Sequence, residues 1–147
     1  MEQIKIYSDG GARGNPGPAG IGIVVISQKD KETKRLIEIS KYIGETTNNQ
    51  AEYQAVIGAL SWVLENLKDV EIKCFLDSEL IVEQLNQRYK IKNEGLKPLF
   101  WQVRDLILKL GGRVQFIYIP RDKNHEADRL VNLAIDKEIL RQRDKEK

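Results

Sequence analysis

One cysteine and one histidine in 147 residues leave the chain without a His or Cys cluster to hold a metal. Cys74 alone excludes an intrachain disulfide. Its place in the run Ile72-Lys73-Cys74-Phe75-Leu76 reads as a small buried hydrophobe, and a cytoplasmic location is expected. Charge of one sign is also scarce: 24 Lys and Arg stand against 22 Asp and Glu, a net charge of +2. Bulk charge therefore makes no case for nucleic acid, and phosphate binding must come from local clustering. No apolar run approaches the roughly 18 residues of a membrane span. Met1-Glu2-Gln3-Ile4 lacks the basic-then-apolar pattern of a signal peptide, so no membrane association is expected. Neither G-K-[ST] nor G-x-G-x-x-G occurs, which leaves the phosphate-loop routes to a nucleotide poorly supported.

What is present suits a folded domain. Apolar residues make up 41% and charged residues 31%. The length fits one domain, residues 1–147, with a charged tail from about Lys137 whose apolar rhythm is lost and which reads as a frayed helical end.

Along the chain, residues 3–9 alternate as a strand that ends in Asp9, ahead of a turn rich in Gly, Asn and Pro. Gly20 to Ser27 is a β-branched run, read as a second strand. Arg35 to Ile43 is a third, and short connections make the three an antiparallel meander. Thr46-Thr47-Asn48-Asn49 is a capping cluster. After it, Tyr53, Val56, Ile57, Leu60, Leu64 and Leu67 recur at helical spacing. Glu71 to Leu76 is a strand that ends in Asp77, and Ser78 or Asp77 caps the short helix that follows. Arg88 to Lys97 is irregular and basic. Pro98 opens a helix striped by Leu99, Trp101, Val103, Leu106, Ile107 and Leu110, with Trp101 and Trp62 expected in the core. Arg113 to Pro120 is the last strand, and a helix starts near His125. The order β-β-β-α-β-α-α-β-α predicts an α/β fold with a mixed sheet, since strands separated by helices pair in parallel.

Four acids stand out by position. Asp9 and Asp77 each end an apolar strand. Glu52 and Asp128 each sit in the first turn of a striped helix. Three have an ordinary explanation: a strand-end turn for Asp9, an N-cap for Asp77, and a helix-dipole acid for Glu52. Together the four have another. Neighbouring strands would set Asp9 and Asp77 about 5 Å apart. Gathered carboxylates repel one another and their pKa values rise. Hard divalent cations compensate, and Mg²⁺ favours carboxylate oxygens along with substrate phosphates. Two such ions about 3.5–4 Å apart can activate a water and stabilise the leaving oxygen of a phosphodiester.

Four blocks in this order resemble the type 1 ribonuclease H family. They are Tyr7-Ser8-Asp9-Gly10-Gly11 with Gly14-Asn15-Pro16-Gly17-Pro18, Thr46 to Glu52, Leu76-Asp77-Ser78, and Asn124 to Leu130. The resemblance covers most of the chain. It implies a ribonuclease H-like fold, a mixed five-stranded sheet flanked by helices. It implies endonucleolytic cleavage of the RNA strand of RNA–DNA hybrids, leaving 3′-hydroxyl and 5′-phosphate ends. The metal-binding acids fall on Asp9, Glu52, Asp77 and Asp128, holding two Mg²⁺ ions, with Mn²⁺ as a substitute. The resemblance puts Gly10, Gly11, Asn15, Asn48, Asn49 and Ser78 against the hybrid, with Thr47 and Asn15 on a DNA phosphate. A monomer with no obligate protein partner is expected.

Two departures matter. Many bacterial members carry a His on a long loop well before the last acid. Here Arg121 to Asn124 is short, and the sole histidine, His125, lies three residues before Asp128. His125 and Arg121 are rival catalytic candidates for assisting the leaving group. A larger basic, Trp-containing protrusion is also absent, and residues 88–97 contribute only Tyr89 as an aromatic. Hybrid affinity is therefore expected to be modest and salt-dependent.

Overall fold

The computed structural model describes residues 1–146. Strands β1 (Glu2–Ala12), β2 (Gly17–Lys29) and β3 (Glu32–Thr46) are followed by helix α1 (Asn48–Asn66), strand β4 (Val70–Leu76), and helices α2 (Glu79–Leu85) and α3 (Lys97–Lys109). Strand β5 (Val114–Tyr118), a 3₁₀ turn at Arg121–Lys123 and helix α4 (His125–Lys145) complete the order expected from the sequence. The sheet runs β3-β2-β1-β4-β5. β1 is antiparallel to β2 and parallel to β4, and β4 is parallel to β5. This is the mixed five-stranded sheet with helices on both faces that the resemblance implies.

The two faces of β2 explain the layering. Ile21, Ile23 and Val25 alternate with Gly20, Gly22 and Val24. The tips of Ile21 and Ile23 approach Gly58 of α1, whereas Gly20 and Gly22 lie under the backbone of α4. On the α1 side, Ile4, Ile6, Ile23, Tyr53, Leu60, Ile72 and Leu76 are wholly buried, with Val103 and Ile107 of α3 packed outside α1. Each such aliphatic side chain contributes about 1.5–3 kcal/mol relative to exposure. On the other face, Ala127, Leu130, Val131, Ala134 and Ile135 of α4 cover β2, β3 and β1. An added Cβ at Gly22 would stand 2.1 Å from the Ala127 carbonyl oxygen. One at Gly10 would stand 2.1 Å from that of Ala51. These two glycines bring a helix backbone down onto the sheet from opposite sides.

Four expectations change. β1 does not stop at Asp9 but stays paired with β2 as far as Ala12, with Gly10, Gly11 and Ala12 opposite Ile21, Gly20 and Ala19 in the ladder. Glu52 is not in the first turn: α1 begins at Asn48 behind its Thr47 cap, which puts Glu52 one turn deeper. The tail does not fray at Lys137, since α4 continues to Lys145. There Glu138 accepts from Arg141 and Gln142, which holds its carboxyl down at about 2 and extends the helix on pairs three and four residues apart. Trp62 packs against the core, but Trp101 is 66% exposed, because Val103 and Ile107 take the inward face of α3.

The contact at Gly22 yields a prediction far from the acids. Gly22→Ala is expected to destabilise the fold by about 1–3 kcal/mol, since backbone rather than a flexible side chain meets the new methyl. Urea unfolding measures it, and a change within about 0.5 kcal/mol would refute the proposed packing.

Candidate active site

β1 and β4 are neighbours in parallel register, with Tyr7 opposite Phe75. Two residues further on, the same register sets Asp9 beside Asp77. β4 ends at Leu76, while β1 remains bonded to β2. The two acids thus emerge where the parallel half of the sheet stops and the chain diverges, the usual ligand position of an α/β sheet. Gly10 draws the α1 backbone against β1 at Ala51 and Glu52, which delivers the Glu52 side chain to the same place. Asp9, Glu52 and Asp77 each offer a carboxylate oxygen within 4.8 Å of the others. Asp128 comes from the first turn of α4 on the opposite face and lines the same cleft of about 540 Å³.

Burial sets the electrostatics. Asp9 is 8% exposed and Glu52 7%. Burial first, then the charges of Asp77 and Asp128, push the Asp9 carboxyl up to about 7, although Glu52 and the Gly10 amide hydrogen-bond to it. Glu52 is driven well above the usual carboxylate range by burial and by the Asp9 charge. Glu52 Oε2 is buried without a hydrogen-bond partner. An all-oxygen donor set of crowded carboxylates, one with an orphaned oxygen, fits a hard divalent cation.

The other candidate residues divide. Gly10, Gly11, Asn48, Asn49, Ser78 and Arg121 line the acid cleft. Ser78, not Asp77, caps α2 by accepting from the Ile81 amide, which leaves the Asp77 carboxylate to the site. Thr47 Oγ1 caps α1 by accepting from the Gln50 amide. Asn15 Oδ1 accepts from the Asn48 amide at 3.0 Å, and Asn48 Oδ1 accepts from the Ala12 amide at 2.8 Å. These bonds clamp the β1–β2 turn to the start of α1. His125 is not brought into the cleft. It is exposed, with Nδ1 3.3 Å from the Asp122 carbonyl oxygen, and it lines a second cleft with Tyr7, Arg35 and Glu126. Helical spacing from Asp128 is not enough, because the first turn of α4 turns the two side chains to different clefts.

Three residues of this region were not singled out from the sequence. Arg13 reaches from the β1–β2 turn to Asp136 at 2.7 Å and to Asn132 Oδ1 at 3.2 Å. Asn132 in turn donates to the Asp128 carbonyl oxygen. Asn124 is buried beside Asp77. Of the three, only Asn124 carries a sequence signal, as the first residue of the block Asn124 to Leu130.

The raised pKa of Asp9 makes metal-free stability depend on pH. The folded state binds this proton more tightly than the unfolded chain, so the associated stability is complete below about 3.8 and is lost as the pH rises through about 7. In EDTA at about pH 8, Asp9→Asn is therefore expected to melt at a higher temperature than the parent protein, with the gap closing toward about pH 4. Thermal unfolding at both pH values decides it, and equal melting temperatures at the higher pH would contradict the electrostatic account.

A family described as reverse transcriptase-like matches residues 7–134. Bifunctional protein Rv2228c of Mycobacterium tuberculosis is 41% identical over 134 residues, covering 91% of this chain but only 36% of that protein. The chain therefore spans about a third of the length of that mycobacterial relative. Ribonuclease H of Ruthia magnifica is 34% identical, with 93% of this chain and 98% of that protein covered. Among solved structures, LC11-RNase H1 in complex with an RNA/DNA hybrid is 48% identical, with a TM-score of 0.85 over 92% of this chain and 99% of that one. RNase H1 of Halobacterium salinarum also superposes with a TM-score of 0.85, at 34% identity over 92% of this chain and 98% of that one. By sequence and by fold, the chain belongs to the ribonuclease H family of enzymes.

Proposed function

We propose that this chain hydrolyses the RNA strand of RNA–DNA hybrids as an endonuclease, leaving 5′-phosphate and 3′-hydroxyl ends. The observation that carries the reading is the cluster of Asp9, Glu52 and Asp77, whose carboxylate oxygens lie within 4.8 Å of one another in a cleft lined by amides and glycines. A relative with nearly half its residues identical is bound to an RNA/DNA hybrid. Two Mg²⁺ ions, with Mn²⁺ as a substitute, would lower the pKa of the attacking water and offset charge on the leaving oxygen. Asp9, Glu52 and Asp77 would hold the ions, with Asp128 joining them from α4.

The remaining residues handle the substrate. Asn48, Asn49 and Ser78, with the backbone at Gly10 and Gly11, face the minor groove, where amides and hydroxyls can pair with base edges and with the 2′-hydroxyl that marks RNA. Asn15 and Thr47, at the clamp beside the cleft, take a DNA phosphate. Arg121 assists the leaving group. A guanidinium does not give up its proton at neutral pH, so its part is to stabilise negative charge. The outward-facing Trp101 stands with Tyr89, Arg88, Lys90 and Lys97 in one groove, a second surface for the hybrid. Arg88 is paired with Glu83 and Lys97 with Glu94, which weakens the groove's attraction for phosphate and fits a modest affinity. The protein acts as a monomer in the cytoplasm without an obligate protein partner.

End-labelled hybrid, duplex DNA and duplex RNA, incubated with Mg²⁺ or EDTA, test this directly. Cutting of the RNA strand of the hybrid alone is expected, lost in EDTA and in Asp9→Asn. Cutting of duplex RNA as well would indicate a broader nuclease, and hybrid binding without cutting would indicate a binding module. Arg121→Ala is expected to slow turnover by about 10²-fold, while His125→Ala leaves it unchanged. The reverse result would return the catalytic role to His125. Trp101→Ala should weaken hybrid binding about fivefold or more, since a stacked base contributes roughly 1–3 kcal/mol. Unchanged affinity would remove the groove from the interface.

A further inference from the structure

We infer that Asn124 is a positioning residue that fixes Asp77 and the start of α4 against β1, and so sets the divalent-ion affinity of the acid cluster. The inference rests on the metal reading of that cluster. Asn124 is 1% exposed. Its side-chain Nδ2 donates to the Ser8 carbonyl oxygen at 2.9 Å and to Asp77 Oδ2 at 2.8 Å. Both partners are acceptors, so the amide can sit only one way round. Its Oδ1 is buried without a partner, which shows how strongly the site favours the two donated bonds.

The position makes this unusual. Asn124 precedes the first residue of α4, where an Asn side chain ordinarily accepts from the helix's free amides. Here no such capping bond forms. The side chain turns inward instead, while the main-chain carbonyl of Asn124 accepts the Asp128 amide at 3.1 Å. One residue therefore touches the neighbour of Asp9, the carboxylate of Asp77 and the backbone of Asp128. A carboxylate with one oxygen held cannot rotate freely, and groups that hold ligands in this way typically change metal affinity or activity by about 10–100-fold when removed.

Calorimetric titration of the full chain with Mg²⁺ tests this without reference to turnover. Asn124→Ala is expected to weaken Mg²⁺ binding by about 10–100-fold, with hybrid binding in EDTA unchanged. In an Asp77→Asn background the same substitution should add little, because the carboxylate it positions is gone. The unaltered protein supplies a check that needs no variant to fold: the side-chain amide resonances of Asn124 should shift in step with Mg²⁺ occupancy. Full Mg²⁺ affinity in a folded Asn124→Ala, additive losses in the double variant, or unmoved resonances would each overturn the inference. An unaltered protein that binds no divalent ion would instead overturn the metal reading, and this inference with it.

Discussion

Carboxylates crowded together with little water around them repel one another, and that repulsion is the constraint the site is built around. Asp9 and Glu52 are almost fully buried, and Asp77 and Asp128 add their charge from two other elements. A chain left to relax would separate them. They stay together because each is fixed at its backbone by structure that has nothing to do with charge. Asp9 lies in a strand bonded to β2, Asp77 follows a strand held between β1 and β5, and Glu52 sits in a nineteen-residue helix. Without a cation the acids respond by binding protons, which is why Asp9 and Glu52 shift upward rather than outward.

The fold sustains this strain by contacts made elsewhere. Backbone meets backbone where Gly10 touches α1 and Gly22 touches α4. Neither contact could form with a side chain in the way, so the distance from sheet to helix is set by the absence of two methyl groups. Between α1 and the sheet, the wholly buried Ile4, Ile6, Ile23 and Leu60 supply apolar burial that a few poorly placed charges do not outweigh. The stable part of the molecule and the costly part share β1: its first half is core, and its second half is site.

Much of this was legible because the signals were local. Alternation in Ile4-Lys5-Ile6 and Ile72-Lys73-Cys74 gave the two central strands, and the capping cluster before Glu52 gave α1. The misreadings also have physical causes. Glu52 reads as a first-turn acid because capping-type residues run from Thr46 to Asn49, and only the Thr47 bond to Gln50 shows which of them is the cap. From the sequence Trp101 reads as core, yet α3 has more apolar residues than its inner face can hold. The end of α4 reads as frayed when only apolar rhythm is counted, whereas side-chain pairs from Glu138 extend it. Asn124 is the instructive case. Its residue type and position both suggest a cap, and nothing local reveals that two acceptors, one 116 and the other 47 residues away in sequence, outcompete the helix for its amide.

A cleft lined by four acids must still admit a polyanion. With a net charge of +2, the whole molecule offers little long-range attraction. Close to the acids, the cations that line the cleft are Arg13 and Arg121. Arg13 is engaged with Asp136, and both are exposed, so that pair contributes little and can give way to a phosphate. Two arginines do not reverse the field of four carboxylates. Under the proposed function, divalent cations therefore do more than supply chemistry: they turn a repulsive surface into one a phosphodiester can approach. Metal and substrate binding would then support each other, because a divalent ion held by the carboxylates can also take phosphate oxygens. The amide and hydroxyl side chains around the acids follow from the same logic. Asn48, Asn49 and Ser78 can recognise sugar and base edges without adding charge of either sign to a site whose balance is set by its ions.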